Sequence, residues 1–138
     1  MTLAEVLIYS DGGARGNPGP AAIGAVVLDP ATSPPTRLAT VSERIGITTN
    51  NVAEYQALIA GLEKAKELGA RRVSVRADSK LVIEQVAGRW RVKQAHLQPL
   101  HRQARELLES FEQVDLAHVP RGQNVEADAL VNAALDLP

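Results

Sequence analysis

The chain contains no cysteine, which removes disulfides and thiolate metal sites from consideration. Aromatics make up only 3% of its 138 residues, with one Trp and one Phe, so a core must be built from Val, Leu, Ile and Ala. No apolar run approaches the ~18 residues of a membrane span. The formal net charge is −1, from 15 basic and 16 acidic residues, and the whole molecule therefore does not advertise itself as a polyanion binder. Internal repeats and low-complexity segments are also missing. These absences lead us to expect a soluble, cytoplasmic, monomeric chain with no membrane partner. What is present is ordinary for a globular domain: 45% hydrophobic and 22% charged residues. The length suits one domain with one core, spanning 1–138.

One stretch stands out. Val6-Leu7-Ile8-Tyr9 is an apolar run suited to a buried strand, and two residues later comes Asp11. The segment Gly12-Gly13-Ala14-Arg15-Gly16-Asn17-Pro18-Gly19-Pro20 then reads as a loop whose glycines permit close backbone approach. A carboxylate at a strand end beside such a loop suits a metal or phosphate site. It equally suits an ordinary turn in which Asp11 caps its own backbone.

The rest of the chain resolves into short elements. Glu5–Asp11, Ala21–Leu28 and Arg37–Gly46 read as three strands of an antiparallel meander, separated by glycine- and proline-rich turns. Thr48-Thr49-Asn50-Asn51 starts a helix whose apolar positions run from Ala53 to Leu68 and stop at Gly69. Arg72–Ala77 is a fourth strand ending at Asp78. Ser79–Ala87 is a short helix, and Pro99 opens another that runs to about Ser110. Gln113–Val119 is a last strand and Asn124–Leu135 a last helix. Right-handed crossovers make the fourth and fifth strands parallel to the first, giving a mixed five-stranded sheet with helices on both faces. Ligands collect beyond the carboxyl ends of such strands, where Asp11 and Asp78 fall.

Two more acids lie at element ends. Glu54 is in the first turn of the first helix and Asp128 near the start of the last. Each has a structural explanation. Asn51-Val52-Ala53-Glu54 has capping-box spacing, Asp78 can cap the helix it precedes, and Asp128 suits a helix dipole. None of these explains why all four face one edge. Elsewhere, eleven of the fifteen basic residues fall between Lys64 and Arg105. Most suit solvated helix faces, but Arg89-Trp90-Arg91-Val92-Lys93 sets the only Trp between arginines, either as a nucleic-acid contact or as plain core.

Taken together, four segments resemble a type 1 ribonuclease H over nearly the whole chain. They are Asp11-Gly12-Gly13-Ala14-Arg15-Gly16-Asn17-Pro18-Gly19, Thr49-Asn50-Asn51-Val52-Ala53-Glu54, Ala77-Asp78-Ser79-Lys80-Leu81-Val82 and Asn124-Val125-Glu126-Ala127-Asp128-Ala129-Leu130. The resemblance implies the sheet order 3-2-1-4-5 and hydrolysis of the RNA strand of RNA·DNA hybrids, leaving 3′-hydroxyl and 5′-phosphate ends. It also implies that Asp11, Glu54, Asp78 and Asp128 are catalytic and hold two Mg²⁺ ions, with Mn²⁺ as a substitute. Paired metals ~3.5–4 Å apart suit in-line phosphodiester hydrolysis, and Mg²⁺ prefers oxygen ligands. Asn17, Thr49, Asn50 and Asn51 match positions that touch the nucleic-acid backbone. Gly12, Gly13, Ser79, Trp90, Arg121 and Asn124 complete the expected substrate contacts, with Trp90 near the DNA strand. Choosing RNA requires contacts to the 2′-hydroxyl.

Some features depart from the family pattern. Many bacterial relatives carry a histidine just before the fourth acid, whereas Pro120-Arg121-Gly122-Gln123-Asn124 has none. Arg121 can substitute electrostatically but cannot shuttle protons at neutral pH. The basic protrusion of some relatives is missing too, so salt-sensitive hybrid binding is expected. Members of this branch can cut double-stranded RNA, and some are the N-terminal domain of a longer fused protein. The main alternative is a non-catalytic hybrid-binding module of the same fold. A nucleotide-binding loop is excluded because no Gly-Lys-Ser/Thr signature follows the glycines, and a calcium loop because Gly13 and Arg15 fall where oxygen ligands are needed.

Overall fold

A computed structural model describes residues 4–138. The strands are β1 (Glu5–Ala14), β2 (Gly19–Asp29), β3 (Thr36–Thr48), β4 (Arg72–Ala77) and β5 (Gln113–His118). The helices are α1 (Asn50–Glu67), α2 (Lys80–Val86), α3 (Gln98–Glu109) and α4 (Val125–Leu135), with single 3-10 turns at Ala95–Leu97 and Arg121–Gln123. One sheet is formed in the order β3-β2-β1-β4-β5, as expected. β1, β2 and β3 pair antiparallel, while β4 lies parallel to both β1 and β5.

The two faces of the sheet are covered differently. Val6 and Ile8 of β1 alternate with Val73 and Val75 of β4 on the face covered by α1, α2 and α3. Tyr55, Leu58, Leu62, Ile83 and Leu97 fill that layer and are essentially inaccessible. Truncating a Leu here would cost about 2–5 kcal/mol. Among the described residues the opposite face is covered by α4, through small residues: Ala127, Val131 and Ala134 lie over Ala22 and Gly24. A side chain at Gly24 would put its Cβ 2.4 Å from the Ala127 carbonyl oxygen. Polar bonds from β3 add to this contact, since Ser42 Oγ donates to Leu130 O at 2.6 Å and Arg44 Nε to Ala134 O at 2.8 Å.

The segment after Asp11 is not the loop the glycines suggested. β1 continues through Gly12, Gly13 and Ala14, which pair with Ile23, Ala22 and Ala21. Gly12 serves packing instead: a Cβ there would lie 2.2 Å from the Ala53 backbone of α1. Only the tip turns, closed by Arg15 N–H donating to Pro20 O at 2.8 Å. Among the described residues, no helix is long and apolar enough to cross a membrane.

Candidate active site

The parallel pairing of β1 and β4 ends at Ser10 opposite Ala77. Asp11 and Asp78 are the next residue on each strand, so the register itself sets these two acids side by side. Glu54 joins them from α1, where its carboxylate accepts the Gly12 backbone N–H. That bond overturns the capping-box reading. The N-cap is Thr49, whose side chain accepts from Val52 N at 3.3 Å. Asp78 is likewise not a cap, because Ser79 performs that role for α2 by accepting from Val82 N at 3.3 Å.

Asp11, Glu54 and Asp78 bring carboxylate oxygens within 4.8 Å of one another. Asp128, a turn into α4, borders the same cleft of about 600 Å³. Asn132 Nδ2 donates to its Oδ2 at 3.4 Å, and Arg121 Nη2 lies 3.6 Å from its Oδ1. Asp11 is only 8% exposed, and that burial, reinforced by the charge of Asp78, pushes its carboxyl up to about 7. Hydrogen bonding with Glu54 works in the other direction. Burial and then the charge of Asp11 hold Glu54 well above the usual carboxylate range, against the Gly12 N–H. Among the described residues, no Lys or Arg pairs with Asp11, Glu54 or Asp78. Three converging carboxylates, one buried and two partly so, uncompensated and offering only oxygen, fit a hard divalent cation.

The expected substrate contacts divide into groups. Gly12, Gly13, Asn50, Asn51, Ser79 and Arg121 line the cleft with the acids. Asn17 and Thr49 are not among its lining residues. Asn17 Oδ1 accepts the Asn50 N–H at 3.0 Å while Asn50 Oδ1 accepts the Ala14 N–H at 2.8 Å, stapling the β1 tip to α1. Each amide nitrogen, Nδ2, is left as a donor without a partner among the described residues. Asn124 corrects its expected role: it is 1% exposed, and its Nδ2 donates to Ser10 O at 2.9 Å, supporting β1 one residue before Asp11. Trp90 lies outside the cleft and is 44% exposed, which removes the plain core reading. Its ring has Lys80 Nζ 5.9 Å from the centroid and shares a surface depression with Gln85, Arg89, Arg91 and Lys93. Gln85 ties that depression to the interior. Tyr55 OH donates to its Oε1 at 2.6 Å, and its Nε2 donates to Arg91 O at 3.3 Å.

Sequence reasoning overlooked Arg15 and Asn132 as cleft residues. The available signal was the spacing of Asp128, Asn132 and Asp136, which places three polar side chains in one row along α4.

Comparison with known proteins agrees with this geometry. Residues 9–134 match the reverse transcriptase-like family. The bifunctional protein Rv2228c of Mycobacterium tuberculosis is 51% identical over 132 residues, covering 96% of this chain and 36% of the relative. Ribonuclease HI of Halobacterium salinarum is 45% identical over 132 residues, covering 96% of this chain and 65% of the relative. This chain thus spans about a third of the first relative's length and about two thirds of the second's. The solved N-terminal RNase H domain of Rv2228c superposes with a TM-score of 0.92 at 50% identity, covering 96% of this chain and 100% of that one. LC11-RNase H1, solved in complex with an RNA/DNA hybrid, gives 0.86 at 40% identity, covering 95% and 96%. By fold, by sequence and by the acid cluster at the ends of β1 and β4, the chain belongs to the metal-dependent type 1 ribonuclease H family.

Proposed function

We propose that this chain is an endoribonuclease that hydrolyses the RNA strand of RNA·DNA hybrids, with Asp11, Glu54, Asp78 and Asp128 as its catalytic acids and two Mg²⁺ ions as cofactors. The observation that carries the proposal is the convergence of Asp11, Glu54 and Asp78 within 4.8 Å, unpaired with any cation among the described residues. Mg²⁺ (or Mn²⁺) bound there would supply an activated water and charge neutralisation at the leaving oxygen. The protein's part is placement. The Gly12 N–H fixes the Glu54 carboxylate, the β1/β4 register fixes Asp11 against Asp78, and Asn124 fixes the strand beneath them. The free amide donors of Asn17 and Asn50 face the nucleic-acid backbone, where a 2′-hydroxyl marks the strand as RNA. Reading backbone rather than base edges makes cleavage independent of sequence. Trp90 with Arg91 and Lys93 supports the DNA strand. Double-stranded RNA, which presents 2′-hydroxyls on both strands, is a second substrate, and the domain works as a monomer.

The test is Mg²⁺-dependent cleavage of a strand-labelled hybrid, with duplex DNA, single-stranded RNA and double-stranded RNA alongside. Cutting of the hybrid's RNA strand, lost in Asp78→Asn, is the expected result. Tight hybrid binding without cutting in either metal would instead identify a non-catalytic binding module.

A further inference from the structure

Arg15 lies at the end of the cleft away from Arg121, on the turn that follows β1. Its Nη2 lies 2.7 Å from Asp136 Oδ1 and donates to Asn132 Oδ1 at 3.4 Å. Asn132 in turn donates to Asp128. One chain of polar contacts therefore runs from the acid cluster along α4 to a guanidinium. Asp136 is the C-cap of α4, where the helix dipole is negative and a carboxylate is disfavoured. Arg15 compensates that charge, yet both side chains are about half exposed or more, at 49% and 65%, and exposed ion pairs are weak. The other guanidinium nitrogens, Nη1 and Nε, have no partner among the described residues. A planar fork half engaged by a surface carboxylate is suited to exchanging it for a phosphate.

We propose that Arg15 binds a backbone phosphate of the strand being cut, next to the scissile position, and that Asp136 is an internal anion holding the guanidinium until substrate displaces it. The site deepens the ribonuclease reading and rests on it. Asn132 and Asp136 stand one and two helical turns beyond Asp128, about 6 and 12 Å along α4. The phosphate that Arg15 holds is therefore distinct from the one being hydrolysed. Asp136 then lowers affinity, because every binding event must leave it unpaired at the helix end.

The experiment measures binding of a fluorescent RNA·DNA hybrid in EDTA across a KCl series, with cleavage kinetics in Mg²⁺ alongside. Arg15→Ala should raise Kd and KM by about 3–10-fold, leave kcat unchanged and reduce the salt slope by about 1. Arg15→Lys should recover the slope and part of the affinity. Asp136→Asn should bind the hybrid about 2–5-fold more tightly, the opposite direction to Arg15→Ala. Two outcomes would overturn the proposal: an unchanged slope in Arg15→Ala, or Asp136→Asn weakening binding as Arg15→Ala does, which would make the pair a structural bolt. If these appeared in a parent chain that still cuts hybrid, the ribonuclease reading would stand. A parent chain that neither binds nor cuts hybrid would overturn both.

Discussion

Asp11→Asn should make the metal-free protein more stable, and by an amount that grows with pH. The Asp11 carboxyl titrates near 7 in the folded chain against 3.8 when unfolded. A raised carboxylate contributes stability below its unfolded value and loses it as pH rises through the folded one. At about 1.36 kcal/mol per pH unit, folding with Asp11 ionised costs about 4 kcal/mol at pH 8 but under 2 at pH 5. Asparagine has nearly the same shape and carries no such charge. The advantage of the variant should therefore widen by about 2–3 kcal/mol between pH 5 and pH 8, or roughly 10 °C in Tm for a domain of this size. The assay is thermal unfolding in EDTA at half-unit pH steps. Adding Mg²⁺ at pH 8 should then raise the Tm of the parent and leave the variant nearly unmoved, since only the parent keeps the full ligand set. Melting curves of parent and variant that stay parallel from pH 5 to 8 would refute the idea that Asp11 is held in a strained, cation-seeking cluster.

Further substitutions test other parts of the structure. Gly12→Ala forces a Cβ to 2.2 Å from the Ala53 carbonyl carbon, so it should lower stability by about 3 kcal/mol in a urea titration and abolish cleavage by pushing Glu54 outward. Gln85→Leu strands the buried Tyr55 hydroxyl and should cost about 1–3 kcal/mol, with Tyr55→Phe in the same background restoring part of the loss. Trp90→Ala, at a residue 44% exposed, should change Tm by only a few degrees while raising KM for hybrid. A large loss of Tm with unchanged KM would return Trp90 to a structural role.

The sequence made the architecture legible because its punctuation is strong. Gly69 and Gly88 both adopt positive φ where the helical periodicity stops, and Pro99 falls in the first turn of α3. Asp11 and Asp78 could be paired from the sequence, because a right-handed crossover between two strands leaves little freedom in which ends meet. What misled was glycine. Gly12 and Gly13 read as loop by composition, yet both lie within β1, and Gly12 is small because the Ala53 backbone of α1 presses on it. The caps misled similarly. Thr49 and Ser79 took the helix starts, which freed Glu54 and Asp78 for the cleft, and choosing among adjacent candidates needs the backbone geometry itself. Asn124 lay in the right segment but faces inward, a distinction that depends on where α4 docks.

The two faces of the sheet also differ in what holds them. Large aliphatic side chains lock α1 to β1 and β2, and the same core continues under β4, so Asp11, Glu54 and Asp78 stand on one well-packed layer. α4 rests on the smaller Ala127, Val131 and Ala134, with side-chain contacts from Arg37, Ser42 and Arg44 of β3. Detachment of this one helix would remove Asp128, Asn132 and Asp136 together while leaving the other three acids assembled. Such a partly open form would keep a nearly complete metal cluster without its fourth acid, and would cost less than full unfolding. On heating, cleavage should fade before the sheet melts, and amide exchange along α4 should report the temperature at which it does.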